Sequence, residues 1–308
     1  MTTRALTASR PGPVALSVDL PAGDVTVIAD PACTVAEVAV TAHGDDPAVH
    51  DAVRDAVLRW DEATNTLSVR VDSHVGGGVA VVGGTQTVIG HRGMTVVQSF
   101  GDIPAGVTVN GVAITGDGVV NLGGRVVING VEVTGRGVIV AGGRVEVTAH
   151  VPVGTRVAAV TQSAPVSCSG EFAAVDFTSA SGGLSAGGVG ALRAETTSGA
   201  VSAAAVDGAA VVRSVSGEVY LGRAGDVHAA TTSGDVTVTA FAGRADVSTV
   251  SGDVRVRATG GGTVRARSVS GDITVIATGT ALAEGLAVTA RSQSGDVVTP
   301  GPQRDALA

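Results

Sequence analysis

The sequence predicts an all-β protein: a parallel β-helix, or solenoid, with coils of 17–18 residues, plus a short N-terminal β region carrying one helix. Two observations predict this fold. A serine recurs at intervals of 17 to 19 residues, with a last interval of 24, and glycine follows it from Ser181 onward. The apolar 44% of the chain is mostly Val and Ala, with 45 Gly, which is typical of strands and tight turns. The repeat serines are Ser163, Ser181, Ser198, Ser216, Ser233, Ser251, Ser270 and Ser294.

Alternating apolar positions around each serine predict which side chains point inward. The positions six and four residues before the serine, and three after it, are apolar in every repeat. Examples from the last column are Val236, Val254 and Ile273. In most repeats a bulky residue in the first column accompanies alanine in the second, or the reverse, which indicates volume compensation in a packed interior. The pattern leaves open whether one coil holds 17–18 residues or 35.

A hydroxyl side chain stands two residues before every repeat serine. The column is Thr161, Ser179, Thr196, Ser214, Thr231, Thr249, Ser268 and Ser292. A catalytic serine needs one special copy beside a base, whereas eight equivalent copies indicate a structural hydroxyl ladder that satisfies the turn backbone. We therefore predict no catalytic residue in this column.

The repeats predict a division into four regions. Residues 1–75 form a strand region with a capping helix at about 47–58, where Asp46 is the N-cap and Val49, Val53 and Val57 form one apolar stripe. We expect no other helix. Residues 76–150 form a Gly-rich β segment with a tandem 19-residue repeat at 107–144, each copy containing an Asn-Gly turn signal. About eight Ser-Gly repeats at 151–299 form the solenoid, and 300–308 form a tail.

The repeat motif resembles the bacterial β-strand-repeat family named "putative adhesins", a domain of unknown function. The residues that carry this resemblance are Thr232-Ser233-Gly234-Asp235-Val236-Thr237-Val238, Val250-Ser251-Gly252-Asp253-Val254 and Val269-Ser270-Gly271-Asp272-Ile273-Thr274-Val275. The opening segment from Leu16 to Val25 is similar to that of the same family. The resemblance covers roughly 14–72 and 145–299, and it implies a β-solenoid without an established enzymatic activity, site residues or cofactor.

An acidic column two residues after the serine is the sharpest candidate site. It consists of Glu218, Asp235, Asp253, Asp272 and Asp296. Carboxylates stacked about 5 Å apart repel one another, and this repulsion favours the binding of a divalent cation. The competing interpretation is that each aspartate accepts N–H groups of its own turn while nearby arginines neutralise the row, namely Arg255, Arg257, Arg265 and Arg267. We favour the second interpretation and predict no metal site, with Asp235, Asp253, Asp272 and Asp296 as the only metal candidates.

Charge and composition exclude several functions. A net charge of −8 argues against nucleic acid, and no stretch approaches the roughly 20 apolar residues of a transmembrane helix. The chain has no lysine, which removes Schiff-base and serine-lysine chemistry. No secretion signal is recognisable at the N-terminus, so we expect a cytoplasmic protein. The family resemblance instead implies the cell envelope.

We therefore predict a non-enzymatic β-solenoid scaffold, or adhesin-like interaction protein, whose partner is an unidentified protein or cell-envelope component. The alternative is self-association through end coils, giving filaments like those of the bactofilins. A remoter alternative is a carbohydrate-active β-helix enzyme, which requires clustered outward carboxylates. The candidates Asp176, Glu195 and Asp246 lie in separate coils.

Overall fold

The computed structural model describes residues 2–44, 47–72 and 143–300, together with the backbone of six short strands between 79 and 133. Within these residues the prediction of an all-β protein is confirmed, with one sheet of 17 strands and two small sheets. The N-terminal elements are β1 (Thr2–Pro11), β2 (Ala15–Leu20), β3 (Asp24–Ala29), β4 (Val35–His43), α1 (Pro47–Asp55), β5 (Val57–Asp61) and β6 (Thr66–Arg70).

The remaining elements follow in chain order. The short strands are β7 (Val79–Val82), β8 (Thr85–Val88), β9 (Thr108–Val109), β10 (Val112–Ala113), β11 (Val126–Ile128) and β12 (Val131–Val133). The repeat region holds β13 (Arg144–Val151), β14 (Arg156–Thr161), β15 (Val166–Ser179), β16 (Leu184–Thr196), β17 (Val201–Ser214), β18 (Val219–Ala230), β19 (Val236–Ser248), β20 (Val254–Ser268), β21 (Ile273–Ala277), α2 (Gly279–Ala283), β22 (Ala287–Ser292) and β23 (Val297–Val298).

From β15 to β20, each coil of the solenoid contains one long strand of 12 to 15 residues, and a Ser-Gly turn follows each strand. Strand β16 pairs in parallel with β17 along both of its halves, with Leu184 opposite Val201 and Ala194 opposite Val212. A register shift between Val189 and Leu192 separates the two halves. The first halves of the long strands form one face, which we call face A, and the second halves form face B. From β15 to β19 the partner offset is 17 or 18 residues, so one coil is 17–18 residues long, not 35. The offset rises to 19 between β20 and β21 and to 24 between β20 and β22.

The predicted inward columns form the core of the solenoid. Val236, Val254 and Ile273 are paired neighbours and fully buried. One coil holds two bulky residues, Val175 and Phe177, in the first and second columns. Compensation there comes from the neighbouring coils, because the register partners of Phe177 are Ala159 and Ala194. Alanines above and below make room for the ring, so packing density is maintained along the stack.

The N-terminal strands belong to the same sheet as the repeats. Strand β2 pairs in parallel with both β6 and β14, and β3 pairs in parallel with both β13 and β15. The chain divides into two compact units: residues 5–40, 57–71 and 146–308, and residues 1–4, 41–56 and 72–145. The predicted division near residues 75, 150 and 299 stays a prediction. The larger compact unit contains most of the N-terminal strands together with the repeats.

The helix prediction needs two corrections. Helix α1 begins at Pro47 as expected but ends at Asp55, because Val57 starts β5, which pairs antiparallel with β6. Val57 is 53% exposed and therefore does not extend the buried stripe of Val49 and Val53. A second, five-residue helix, α2, follows Thr278, whose side chain caps it by accepting the N–H of Ala281. The predicted N-cap Asp46 lies outside the described residues.

The tandem 19-residue repeat lies largely outside the described residues, but its strands are paired. Strand β9 pairs antiparallel with β10, and β11 pairs antiparallel with β12. Two residues, the Asn-Gly step of each copy, separate the paired strands in sequence. This spacing is the one expected for two-residue hairpins. The predicted tail is described only at Pro300.

Candidate functional site

The eight turns that hold the repeat serines form one edge of the solenoid, which we call the Ser-Gly edge. In six of the eight turns, the hydroxyl two residues before the serine accepts the backbone N–H of the glycine that follows the serine. Thr196 Oγ1 accepts the N–H of Gly199 at 2.9 Å, and the same bond recurs at Ser179, Ser214, Thr249, Ser268 and Ser292. Seven of these eight hydroxyl residues are buried. They cap the turns, so their recurrence is structural.

Hydroxyl groups also bond between coils, but only in part of the column. Thr161 donates to Ser179 Oγ at 2.9 Å, and the hydroxyl oxygens of Thr231 and Thr249 lie 3.1 Å apart, with Thr231 also donating to the Gly234 carbonyl oxygen at 2.6 Å. The glycines of the Ser-Gly edge are required for a steric reason. A Cβ on Gly199 would lie 1.9 Å from the carbonyl oxygen of Gly182 in the preceding coil. Sequence reasoning identified these glycines as turn residues but missed this close approach of backbones.

The acidic column bonds the backbone of the following coil. Asp235 Oδ1 accepts the N–H of Asp253 at 2.8 Å, Asp253 Oδ1 accepts that of Asp272 at 2.9 Å, and Asp272 Oδ1 accepts that of Asp296 at 2.8 Å. The expectation that each aspartate caps its own turn is therefore wrong for these residues. Stacking brings the next coil's N–H within reach, and a carboxylate accepting an N–H makes a charge-assisted bond.

Arginine neutralises the acidic column at one point. Arg255 lies 2.7 Å from Asp253 Oδ2 and 3.5 Å from Asp235 Oδ2. Arg257, Arg265 and Arg267, expected to share this role, form no ion pair within the part of the chain that is described. In that part no three His, Cys, Asp or Glu side chains are grouped as metal ligands. The absence of a metal site at Asp235, Asp253, Asp272 and Asp296 stays a prediction.

Cys168 and His50 are held in structural roles. Cys168 is buried in register with Ala186, and this burial raises the pKa of its thiol to about 12. A thiol that stays protonated is unreactive as a nucleophile. In the smaller unit, His50 bonds Thr2 Oγ1 at 2.7 Å and the Gly44 carbonyl oxygen at 2.9 Å.

The ion pairs on the outer surface of face B differ between the earlier and the later coils. In the earlier coils Glu195 lies 2.6 Å from Arg193 and 3.4 Å from Arg213. In the later coils Arg265, Arg267 and Arg291 are exposed and form no ion pair among the described residues. We call these three residues the arginine face. Sequence reasoning missed them because it assigned two of them to the acidic column.

A row of exposed valines runs along the Ser-Gly edge. Val215, Val250 and Val269 immediately precede repeat serines and are exposed. Thr232 occupies the same position in the coil between the first two. The row places apolar contact area beside the outer surface of face B, since Val269 lies two residues beyond Arg267 in the same coil.

A family model described as Toastrack DUF4097 matches residues 15–306. A solved structure of a putative adhesin from Parabacteroides distasonis ATCC 8503 superposes with a TM-score of 0.38 and 10% sequence identity, covering 96% of each chain. This likeness is too low to support any inference. No curated protein sequence matches the chain. Among the described residues, no helix has the length and apolar character required to cross a bilayer.

Proposed function

The chain belongs to the Toastrack DUF4097 family, and from this premise we propose that it is a non-enzymatic, adhesin-like interaction module. It presents the outer surfaces of faces A and B to a protein or cell-envelope partner. Parallel strands that pair from coil to coil give these surfaces a fixed geometry, so affinity comes from shape and side-chain pattern and not from a reacting group.

The observation that carries the proposal is that the repeated polar groups are bonded within the solenoid. The hydroxyl column caps the turns, and the aspartates accept N–H groups of the following coil. Among the outward carboxylates weighed for glycoside chemistry, Glu195 is held between Arg193 and Arg213. Since most glycosidases use two facing carboxyl groups, one of them protonated, this pairing disfavours a glycosidase.

A photo-crosslinking experiment tests the interaction role. A photoreactive amino acid replaces one outward, exposed residue at a time in the full chain: Ser185 on face A, and Thr178 or Thr289 on face B. We expect at least one of these positions to give a discrete crosslinked partner in irradiated cells. The buried position Val206 is the matched control and should yield none. Absence of crosslinks from all three outward positions, or turnover of a glycan by the purified protein, would contradict the proposal.

Self-association through the last coil is a second candidate, supported by the C-terminal strands. Among the described residues, β22 pairs only with β20 and β23 pairs only with β21. Val297 is 41% exposed, whereas its register partner Ile273 is fully buried. An unpaired parallel edge is a template for another strand. Sedimentation velocity over a range of protein concentrations, with negative-stain images, tests this idea, and a monomer at every concentration would reject it.

A further inference from the structure

The arginine face gathers three like charges on two neighbouring strands. Arg265 and Arg267 are two residues apart on β20, and Arg267 is the register partner of Arg291 on β22. Neighbouring strands are about 4.8 Å apart, and positions i and i+2 of a strand are about 6.6 Å apart. The register partner of Arg265 on the other side is Asp246, but the two form no ion pair within 4.0 Å.

Like charges at directly opposite positions destabilise a sheet. The same outward columns carry Arg193, Glu195 and Arg213 in the earlier coils, where the glutamate pairs with both arginines. The chain as a whole has a net charge of −8, so acidic residues are not scarce. The later coils thus keep three arginines that form no ion pair among the described residues, and a bound anionic group would offset their repulsion.

The chemistry around the arginine face identifies the kind of anion. Guanidinium groups bind carboxylates and phosphates through two parallel hydrogen bonds. Nucleic acids and anionic membranes bind through many charges at once, which a strongly acidic protein repels. The exposed side chains of Val250 and Val269 beside Arg267 add apolar contact, and arginine with apolar side chains is the composition of protein interfaces.

We propose that the arginine face, together with Val250 and Val269, binds an acidic segment of a partner protein that also carries apolar side chains. The inference rests on the proposed interaction role and assigns the partner's chemistry. Carboxylates of the segment pair with Arg265, Arg267 and Arg291, and its apolar side chains pack on the valines.

Fluorescence anisotropy with a labelled peptide tests the proposal. The probe is a peptide of about 12 residues in which glutamate alternates with valine or threonine, and a lysine peptide of the same pattern is the control. We expect the full chain to bind the glutamate peptide saturably and the lysine peptide not at all. Replacing Arg267 and Arg291 by Ser should weaken binding about tenfold or more. The matched variant R193S/R213S should bind like the unsubstituted protein.

Two further measurements distinguish an acidic protein segment from other anions. V269S changes no charge, so several-fold weaker peptide binding by this variant supports apolar contact, and unchanged binding overturns that part of the proposal. If the protein binds phosphatidylglycerol vesicles or polyphosphate more tightly than the peptide, the assignment of the ligand to a protein segment is wrong. If R267S/R291S binds the peptide as tightly as the unsubstituted protein does, the proposal is also wrong. If the peptide fails to bind while crosslinks at Ser185 or Thr178 persist, this inference is wrong and the interaction role stands.

Discussion

The carbonyl oxygen of Gly234 lies 2.1 Å from the point that a Cβ atom on Gly252 would occupy. The same relationship recurs between the next pair of coils, where a Cβ on Gly271 would lie 1.9 Å from the Gly252 oxygen. Neither Gly252 nor Gly271 has a positive φ. Glycine is therefore required along this edge because the backbones of successive coils approach too closely for any side chain.

This contact predicts that G252A destabilises the protein. The added methyl group must push successive coils apart, and overpacking of this kind costs about 1–3 kcal/mol of unfolding free energy. The matched control is G279A in α2, where a Cβ meets nothing within 4 Å and alanine favours the helix by up to about 1 kcal/mol. Urea unfolding of both variants measures the difference, and equal midpoints would contradict the steric explanation.

The hydroxyl column predicts the effect of T249V. Valine matches threonine in shape but leaves the N–H of Gly252 without the acceptor that Thr249 Oγ1 supplies at 3.0 Å, whereas the hydroxyl of Thr231 keeps the Gly234 carbonyl oxygen as its acceptor at 2.6 Å. We expect a loss of about 1–3 kcal/mol of unfolding free energy, because this amide stays buried without an acceptor. T249S should retain most of the stability. The control is T232V, since Thr232 is exposed and follows Thr231 in the chain, and this variant should keep the stability of the unsubstituted protein. A similar loss of stability in T232V would show that the effect is not specific to the turn cap.

The aspartate contacts predict how the acidic column responds to substitution and to calcium. D253N keeps an oxygen acceptor for the N–H of Asp272, whereas D253A removes it, so D253A should cost about 1 kcal/mol more. Because the carboxylates already bond the backbone, added CaCl₂ or its removal with EGTA should leave the melting temperature unchanged. A calcium-dependent rise that D253N abolishes would restore the metal interpretation.

The buried thiol predicts a dependence of stability on alkaline pH. Burial raises the pKa of Cys168 from 9.0 to about 12, so between these values the unfolded chain releases a proton that the folded protein retains. The thiol's contribution to stability is fully present below pH 9 and falls by about 1.4 kcal/mol per pH unit above it.

Urea unfolding at pH 8, 9.5 and 11 measures this effect against C168A. Alanine already occupies the register-partner position 186, so the substitution fits the column. The difference in unfolding free energy between the two proteins should shrink as the pH rises. An identical pH dependence in both would show that Cys168 does not titrate as proposed.

The recurring columns were predictable because local alternation and a regular spacing encode them. Val236, Val254 and Ile273 stack as the pattern indicates. The pairing of β2 with β14 was not predictable, because Leu16 and Val157 are register partners without any spacing signal between them. The ion pairs of Arg255 were also not predictable, since proximity in sequence made Arg257, Arg265 and Arg267 equally plausible partners of the acidic column.

By itself the sequence determined the length of the repeat and the side chains that point inward, since a strand's alternation and a repeated turn are local properties of the chain. Only the tertiary structure decided why glycine is required at the turns, which amide each aspartate accepts and which arginines stay unpaired. These depend on atoms of the coils on either side. Their positions follow from stacking, and no single repeat contains them.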